Sequence, residues 1–194
     1  MKAEADLGGL PSDRLRGLEE ALGRAEVVKW CADLLVGRVA FDDPEQPSLT
    51  WLGGEHAAEE LRKGRLVERG QDYWPRVWAA RGLLHVWDPS LAPVAVPALV
   101  VCFADRAWRV REMAAKVARH WQLGEAADDL ARLVMDPVPR VRAAAAGALG
   151  VVGEAEHAEV LRTALDDDLA AVRQAAGRAL RELGRRLDRS FAGD

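Results

Sequence analysis

The clearest hydrophobic pattern in the chain lies in the stretch "PRVRAAAAGALGVV", where apolar residues recur every three or four positions. The residues that share this spacing are Val141, Ala144, Ala145, Ala148, Leu149 and Val152. Such a spacing places them on one face of an α-helix. Because most of that face is alanine, neighbouring helices can approach it closely while the helix itself stays stable. The pattern therefore predicts an inner helix that is packed between neighbours on both sides.

The same pattern recurs along the second half of the chain. An aspartate followed by four residues and then Val-Arg begins the stretches "DRAWRVR" at Asp105, "DPVPRVR" at Asp136 and "DDLAAVR" at Asp167. A fourth copy, "DYWPRVW", begins at Asp72, with Trp78 in place of the arginine. A second amphipathic stretch accompanies each copy, so each unit is predicted to be a helix, a short turn and a second helix.

These repeats give a domain organisation. We predict four repeats, at residues 72–104, 105–135, 136–166 and 167–194, which form one continuous domain with the part of the chain that precedes them. Residues 1–71 are predicted to be a divergent N-terminal helical cap, because terminal repeats of such arrays are atypical. Within this cap we predict helices near 12–22, 25–38 and 55–63, and the stretch "FDDPEQPSLTWLGG" predicts a long loop at 41–54. A further helix is predicted to open at Pro97.

The units resemble HEAT repeats, in particular the short form that is also seen in phycobilin-lyase-type HEAT proteins. The resemblance implies an all-α fold, a right-handed α-solenoid of HEAT/armadillo-like type built from stacked helical hairpins. In HEAT repeats, the aspartate and arginine form a ladder that joins neighbouring turns of the array. We carry this structural role over to the matching residues, which are Asp105 and Arg111, Asp136 and Arg142, and Asp167 and Arg173.

Composition narrows the functional classes. The chain has a formal net charge of −4, which argues against general affinity for nucleic acids. It has no apolar run as long as a membrane span requires, and its first twenty residues lack the apolar core of a secretory signal. Cys31 and Cys102 lie in apolar helical contexts and are expected to be buried thiols. These features favour a cytoplasmic protein with no membrane partner.

Residues that could carry chemistry do not form a known site. Iron-binding HEAT hydroxylases use repeated His-Glu dipeptides, whereas His56, His85, His120 and His157 are each followed by another residue type. The sequence also lacks a glycine-rich phosphate loop and a nucleophile motif. We therefore predict no catalytic residue, no metal site and no cofactor.

The predicted register leaves the outer face of each inner helix exposed and mostly basic. Applied to the repeats, it gives the candidate partner-binding residues Arg76, Arg109, Glu112, Lys116, Arg119, Arg140, Arg178 and Arg181. Trp78 is a further candidate, because it lies near the N-terminal end of the same surface. The second helix of a HEAT hairpin normally lines the concave side of the array. We therefore expect a basic concave groove with aromatic residues at its N-terminal end.

The leading functional hypothesis is a non-enzymatic interaction module that binds a protein or peptide, preferably an acidic one, as a monomer or weak oligomer. The alternative is a nucleic-acid-binding protein, including one of the alkylated-base DNA glycosylase type, with aromatics from "DYWPRVWAARGLLHVW" and a carboxylate from Asp72, Asp88 or Asp105. A third hypothesis, a bilin-lyase-like accessory protein, rests on the repeat similarity alone. A solvated basic face without any partner is the simplest alternative to all three.

Overall fold

The structure of the chain is a computed structural model that describes residues 6–191, so residues 1–5 of the predicted cap and 192–194 of the last predicted repeat lie outside it. Within the described range all regular secondary structure is helical, and the predicted all-α fold is confirmed. The helices are α1 (Pro11–Leu22), α2 (Arg24–Val36), α3 (Thr50–Lys63), α4 (Trp74–Gly82), α5 (Ala92–Cys102), α6 (Trp108–His120), α7 (Ala127–Leu133), α8 (Pro139–Val152), α9 (Ala158–Thr163) and α10 (Ala170–Leu187).

The chain divides into two compact units, Met1–Cys102 and Phe103–Asp194. In the first unit α2 packs against both α4 and α5, and α1 packs against α3. Both cysteines are free and buried, as expected, and burial raises the pKa of the Cys31 thiol to about 12. The predicted boundary between cap and repeats at residue 72 concerns repeat assignment rather than packing and stays a prediction.

The second unit has the predicted stack of helices. The inner helix α8 packs between α6 and α10, and the shorter outer helices α7 and α9 pack against α8 and α10 respectively. The three repeat valines, Val110, Val141 and Val172, are fully buried, which fits the shared register of the three inner helices. Together these contacts confirm an α-solenoid of helical hairpins.

The alanine-rich face of α8 differs from the predicted face in one residue. Ala145 and Ala148 are fully buried as expected, but Ala144 is partly exposed and Ala146 is fully buried in its place. Because α8 has neighbours on two sides, its buried surface is wider than a single amphipathic stripe. The small residues therefore serve two helix contacts at once.

The predicted loop at 41–54 is shorter in the structure, because α3 already begins at Thr50. The predicted helix at 55–63 is the second part of α3, which follows a break at Gly54 with φ 59° and ψ −140°. A β-carbon at Gly54 would lie 2.8 Å from Cζ of Arg14, whose side chain is buried against this turn. Glycine is therefore required both for the backbone conformation and for the close approach of the guanidinium group.

The prediction that a helix opens at Pro97 is wrong. Helix α5 begins at Ala92, directly after a 3-10 turn at Pro89–Leu91, and Pro97 lies inside it. Pro97 is exposed, and so is Pro93, whose carbonyl the missing amide hydrogen would have reached. Water can satisfy that carbonyl, so the helix continues through the proline.

Candidate interaction surface

Arginines from successive repeats form an interhelical ladder on one side of the second unit. Nε and Nη2 of Arg111 donate to the Asp136 carboxylate at 2.6 and 2.9 Å, and Arg142 binds Asp167 in the same way at 2.6 and 3.0 Å. These bidentate pairs are well shielded from solvent. Each arginine thus reaches the aspartate of the following repeat, and this geometry joins neighbouring hairpins.

The same groups also hold each turn within its own repeat. Nη1 of Arg111 donates to the carbonyl of Asp105, and Nη1 of Arg142 donates to that of Asp136. Nη1 of Arg173 donates to the carbonyl of Asp167 at 2.6 Å. The aspartate and the arginine of one repeat are therefore in contact through the backbone carbonyl of the aspartate. The carboxylates of Asp136 and Asp167 instead bind the arginine of the preceding repeat.

The ladder aspartates also shape the turns before the inner helices. Oδ1 of Asp105, Asp136 and Asp167 accepts a hydrogen bond from the backbone N–H two residues later. Such Asx-type bonds stabilise a turn at the entrance of a helix. The hydrogen bond from Arg142 holds the pKa of the Asp167 carboxyl below its usual value. The recurrent aspartate is thus a turn former and an ion-pair partner at once.

Other residues of the inner helices in the second unit form the predicted basic surface, here called the groove face. It comprises residues of α6, α8 and α10 that point away from the core, namely Arg109, Lys116, Arg119, Arg140, Ala143, Gly147, Arg178, Arg181 and their neighbours. Its basic residues fall into two groups that differ in their electrostatic partners. One group is neutralised within the unit, and the other is not.

Glu112 neutralises the first group. Its carboxylate accepts hydrogen bonds from Nζ of Lys116 at 2.9 Å and from Nη2 of Arg140 at 3.2 Å. The guanidinium of Arg140 also lies 5.3 Å from the ring centroid of Trp108, and that of Arg109 lies 4.4 Å from the same ring. Since Glu112 is itself buried, it holds these cations in place, and the expectation that it is exposed towards a partner is wrong.

The second group consists of Arg119, Arg178 and Arg181, which are exposed. Within residues 6–191 none of these three side chains has a hydrogen bond or an acidic partner. They line a depression of about 320 Å³ whose floor includes Ala143 and Gly147. A β-carbon at Gly147 would lie 3.4 Å from Nη1 of Arg119, so that guanidinium extends over α8. The structure thus brings these three predicted residues together around one depression.

The predicted groove face does not extend to α4. Trp78 is fully buried, and Ala79 and Leu83 beside it are also fully buried. The ring of Trp78 stacks on Trp74 at 5.8 Å and lies directly against Gly53 of α3. Because α4 packs against both α2 and α3, its corresponding face belongs to the core of the first unit. The prediction of Trp78 as a partner-binding residue is therefore wrong.

Arg76, the other predicted partner-binding residue of α4, is less exposed than the second group of arginines on the groove face. Its side chain is half-buried, and Nη1 donates to the carbonyl of Asp72 at 3.1 Å. Asp88, a candidate glycosylase carboxylate, accepts hydrogen bonds from the backbone and the hydroxyl of Ser90. Both side chains therefore contribute to local turn structure in the first unit.

Sequence reasoning missed two residues that shape the depression. Glu182 lines it and forms an ion pair with Arg185, so this carboxylate is already bound to a cation three residues later on the same helix. Gly150 brings α8 close to α10, because a β-carbon there would lie 2.7 Å from Cα of Ala179. The repeat alignment holds a signal for Gly150, since it occupies the position of Arg119 and Arg181 in the flanking repeats.

The described residues lack two other kinds of site. Among residues 6–191, no three histidine, cysteine or acidic side chains cluster in a way that could hold a metal ion. In the same range no helix is long and apolar enough to cross a membrane.

The fold and this surface define a class of protein: an all-α solenoid in which ion pairs join successive helical hairpins. Comparison with protein families identifies the repeats themselves, since the family model for HEAT repeats matches residues 96–181. Residues 96–181 of the chain therefore carry HEAT repeats. A search of the curated proteins finds no match. HEAT repeats commonly act as scaffolds in protein interaction, whereas the phycobilin-lyase-type form stays a prediction.

Proposed function

We propose that the chain is a non-enzymatic interaction module that binds an acidic segment of another protein along the groove face. The observation that carries the proposal is the group of three exposed arginines without acidic partners around a floor of small residues. Exposed positive charge attracts an acidic partner over a distance, and a flat floor lets its backbone lie close to α8. The buried ladder arginines play no direct part in this recognition.

The distribution of charge on the groove face favours an acidic protein segment over a nucleic acid. A phosphodiester backbone needs cations along its whole track. Here Lys116 and Arg140 already bind Glu112, and Glu182 adds a carboxylate beside the arginines. The formal net charge of −4 opposes a polyanion further. A peptide with a few acidic residues fits this uneven pattern better.

Affinity capture from the native host tests the proposal with matched variants. The test variant carries Arg119→Glu and Arg178→Glu, and the control carries Arg132→Glu and Arg162→Glu on the outer helices, where both arginines are exposed. We expect partners that the wild type and the control retain and that the test variant loses. Identical partners for all three proteins, with folding confirmed by circular dichroism, would contradict binding through the groove face.

A gel-shift series with single- and double-stranded DNA at increasing salt tests the competing hypothesis. We expect no retarded complex under conditions in which the protein partner is captured. Tight, salt-sensitive DNA binding that Arg119→Glu and Arg178→Glu abolish would replace the protein partner with a nucleic acid.

A further inference from the structure

The depression on the groove face collects guanidinium groups from two helices that are not neighbours. Arg119 reaches it from α6, whereas Arg178 and Arg181 reach it from α10. Helix α8 lies between them and contributes Ala143 and Gly147 to the floor. Three positive charges thus surround one small space from opposite sides.

Two glycines in the middle repeat make this arrangement possible. In the repeat alignment Gly147 takes the position of Lys116 and Arg178, and Gly150 takes that of Arg119 and Arg181. The middle repeat therefore adds no cation of its own at either position and leaves the space between the flanking arginines open.

The two glycines have different reasons to be glycine. Gly150 is required by packing, because α10 approaches it closely. A β-carbon at Gly147 would meet only the mobile end of Arg119, at an ordinary contact distance of 3.4 Å. Close packing of helices therefore does not explain Gly147, whereas an open floor beneath the arginines does.

We propose that this depression holds the phosphate group of a phosphorylated side chain in the partner segment, an inference that rests on the proposed function. A phosphorylated residue carries a charge of about −1.5 to −2 and three strong acceptor oxygens. Guanidinium groups match these oxygens with paired donors. A single carboxylate would leave most of the positive charge of Arg119, Arg178 and Arg181 uncompensated, whereas a phosphate dianion compensates more of it. Clusters of arginine are a recurrent way to read such groups.

The confinement of the free cations favours one phosphate over a chain of them. On the groove face Lys116 and Arg140 are held by Glu112, and Arg185 is held by Glu182. A second phosphate placed along the groove would therefore meet an ion pair instead of an open guanidinium. This pattern suits a peptide with one modified residue.

Fluorescence anisotropy with labelled peptide pools tests the inference directly. Three pools share degenerate flanking residues and differ at the central position, which is a phosphorylated residue, its unmodified form or glutamate, and a labelled single-stranded DNA forms a fourth arm. The variants are Arg178→Gln, which removes one guanidinium, and Gly147→Glu, which places a carboxylate in the depression. Arg132→Gln is the control, because Arg132 is exposed on α7 and pairs with Asp129.

We expect the phosphorylated pool to bind at least about tenfold more tightly than the other two pools. Arg178→Gln and Gly147→Glu should remove this preference, while Arg132→Gln should keep it. If Gly147→Glu does not fold, Arg178→Gln tests the inference by itself. The side chain of Arg178 has no hydrogen bond or acidic partner among residues 6–191, so this variant is expected to fold. Equal binding of the glutamate pool would overturn the inference and leave the proposed function standing.

The remaining outcomes separate the two proposals further. If no pool binds while host capture still depends on Arg119 and Arg178, the phosphate site is wrong and the interaction module stands. If the DNA binds in preference to every peptide pool, both the phosphate site and the protein partner are overturned.

Discussion

The second unit carries two sets of arginines that differ in burial and in their electrostatic partners. The ladder arginines, Arg111 and Arg142, are only 13% and 17% exposed, and each binds a carboxylate with two hydrogen bonds. The groove arginines, Arg119, Arg178 and Arg181, are exposed and have no acidic partner among residues 6–191. Arginine thus has a structural role in the ladder and is available for binding on the groove face.

The difference shows why an arginine count carries little functional information. A shielded guanidinium costs free energy unless its charge and its donors are satisfied, so each ladder arginine lies where the repeat supplies an aspartate. An exposed arginine keeps its hydration and can remain without a partner at little cost. The position of an arginine relative to the repeat aspartate, rather than its presence, separates structure from function.

The largest effect that should separate the two faces is the loss of a ladder arginine. Arg142→Gln leaves the shielded carboxylate of Asp167 without its bidentate partner and removes the bond to the carbonyl of Asp136. We expect the free energy of unfolding to fall by about 2–4 kcal/mol, as measured by urea denaturation.

Arg178→Gln is the matched control, because it makes the same chemical change on the groove face. Its free energy of unfolding should stay within about 0.5 kcal/mol of the wild type. Equal losses in the two variants would remove the distinction between ladder and groove arginines.

The sequence alone predicted the ladder and the groove with unequal success. The recurrent aspartate marks the helix entrance and lies at a fixed distance from its arginine, so Asp136 and Arg142 could be placed by counting. Trp78 could not, because its burial depends on the packing of α4 against α2 and α3, which do not follow the repeat.

The state of Glu112 likewise depends on tertiary geometry. Its contact with Arg140 joins residues 28 positions apart, and the register of two packed helices sets that contact. The helix α3 is a further case, since its break at Gly54 lies directly against the buried guanidinium of Arg14. Local patterns predict which face of a helix is polar, and packing then decides which polar groups are already occupied.

Alanines extend the comparison from charge to packing. Ala145 is fully buried in α8, whereas Ala143 belongs to the floor of the depression. Ala145→Leu should overpack the stack and lower the free energy of unfolding by about 1–3 kcal/mol. Ala143→Leu should project into the open depression and change it by no more than about 0.5 kcal/mol. Thermal and urea unfolding of both variants measure the difference, and an unchanged Ala145→Leu protein would contradict the stacked arrangement.

The two glycines of α8 give the same contrast with a single methyl group. Gly150→Ala places a β-carbon 2.7 Å from Cα of Ala179 and should cost about 1–2 kcal/mol, because backbone of α10 must move. Gly147→Ala should instead raise the free energy of unfolding by about 0.5–1 kcal/mol, since alanine is the better helix former and space is available. A loss in both variants would show that the floor at Gly147 is not open, and a gain in both would show that α10 does not approach Gly150 closely.

Acid should weaken the ladder through Asp167. Its pKa is lowered in the folded protein, chiefly by the hydrogen bond from Arg142, so its contribution to stability is complete above the unfolded value of about 3.9. That contribution is lost as the pH falls through the lower folded pKa. In urea midpoints measured across the acid range, Asp167→Asn and Arg142→Gln should each show a shallower decline than the wild type. Parallel declines in all three proteins would show that this ion pair does not contribute.

The smallest effect concerns the groove arginines themselves. Arg119, Arg178 and Arg181 repel one another around the depression, so Arg119→Gln should raise the free energy of unfolding by a few tenths of a kcal/mol at low ionic strength, on the order of other like-charge pairs. Salt screens exposed charges, and the gain should disappear at about 1 M salt. A loss of stability that salt does not change would mean that Arg119 stabilises the fold. Arg119 would then belong with the structural arginines of the ladder. A gain that disappears with salt would show that these arginines repel one another when no anionic partner is bound. This repulsion separates the groove face from the ladder.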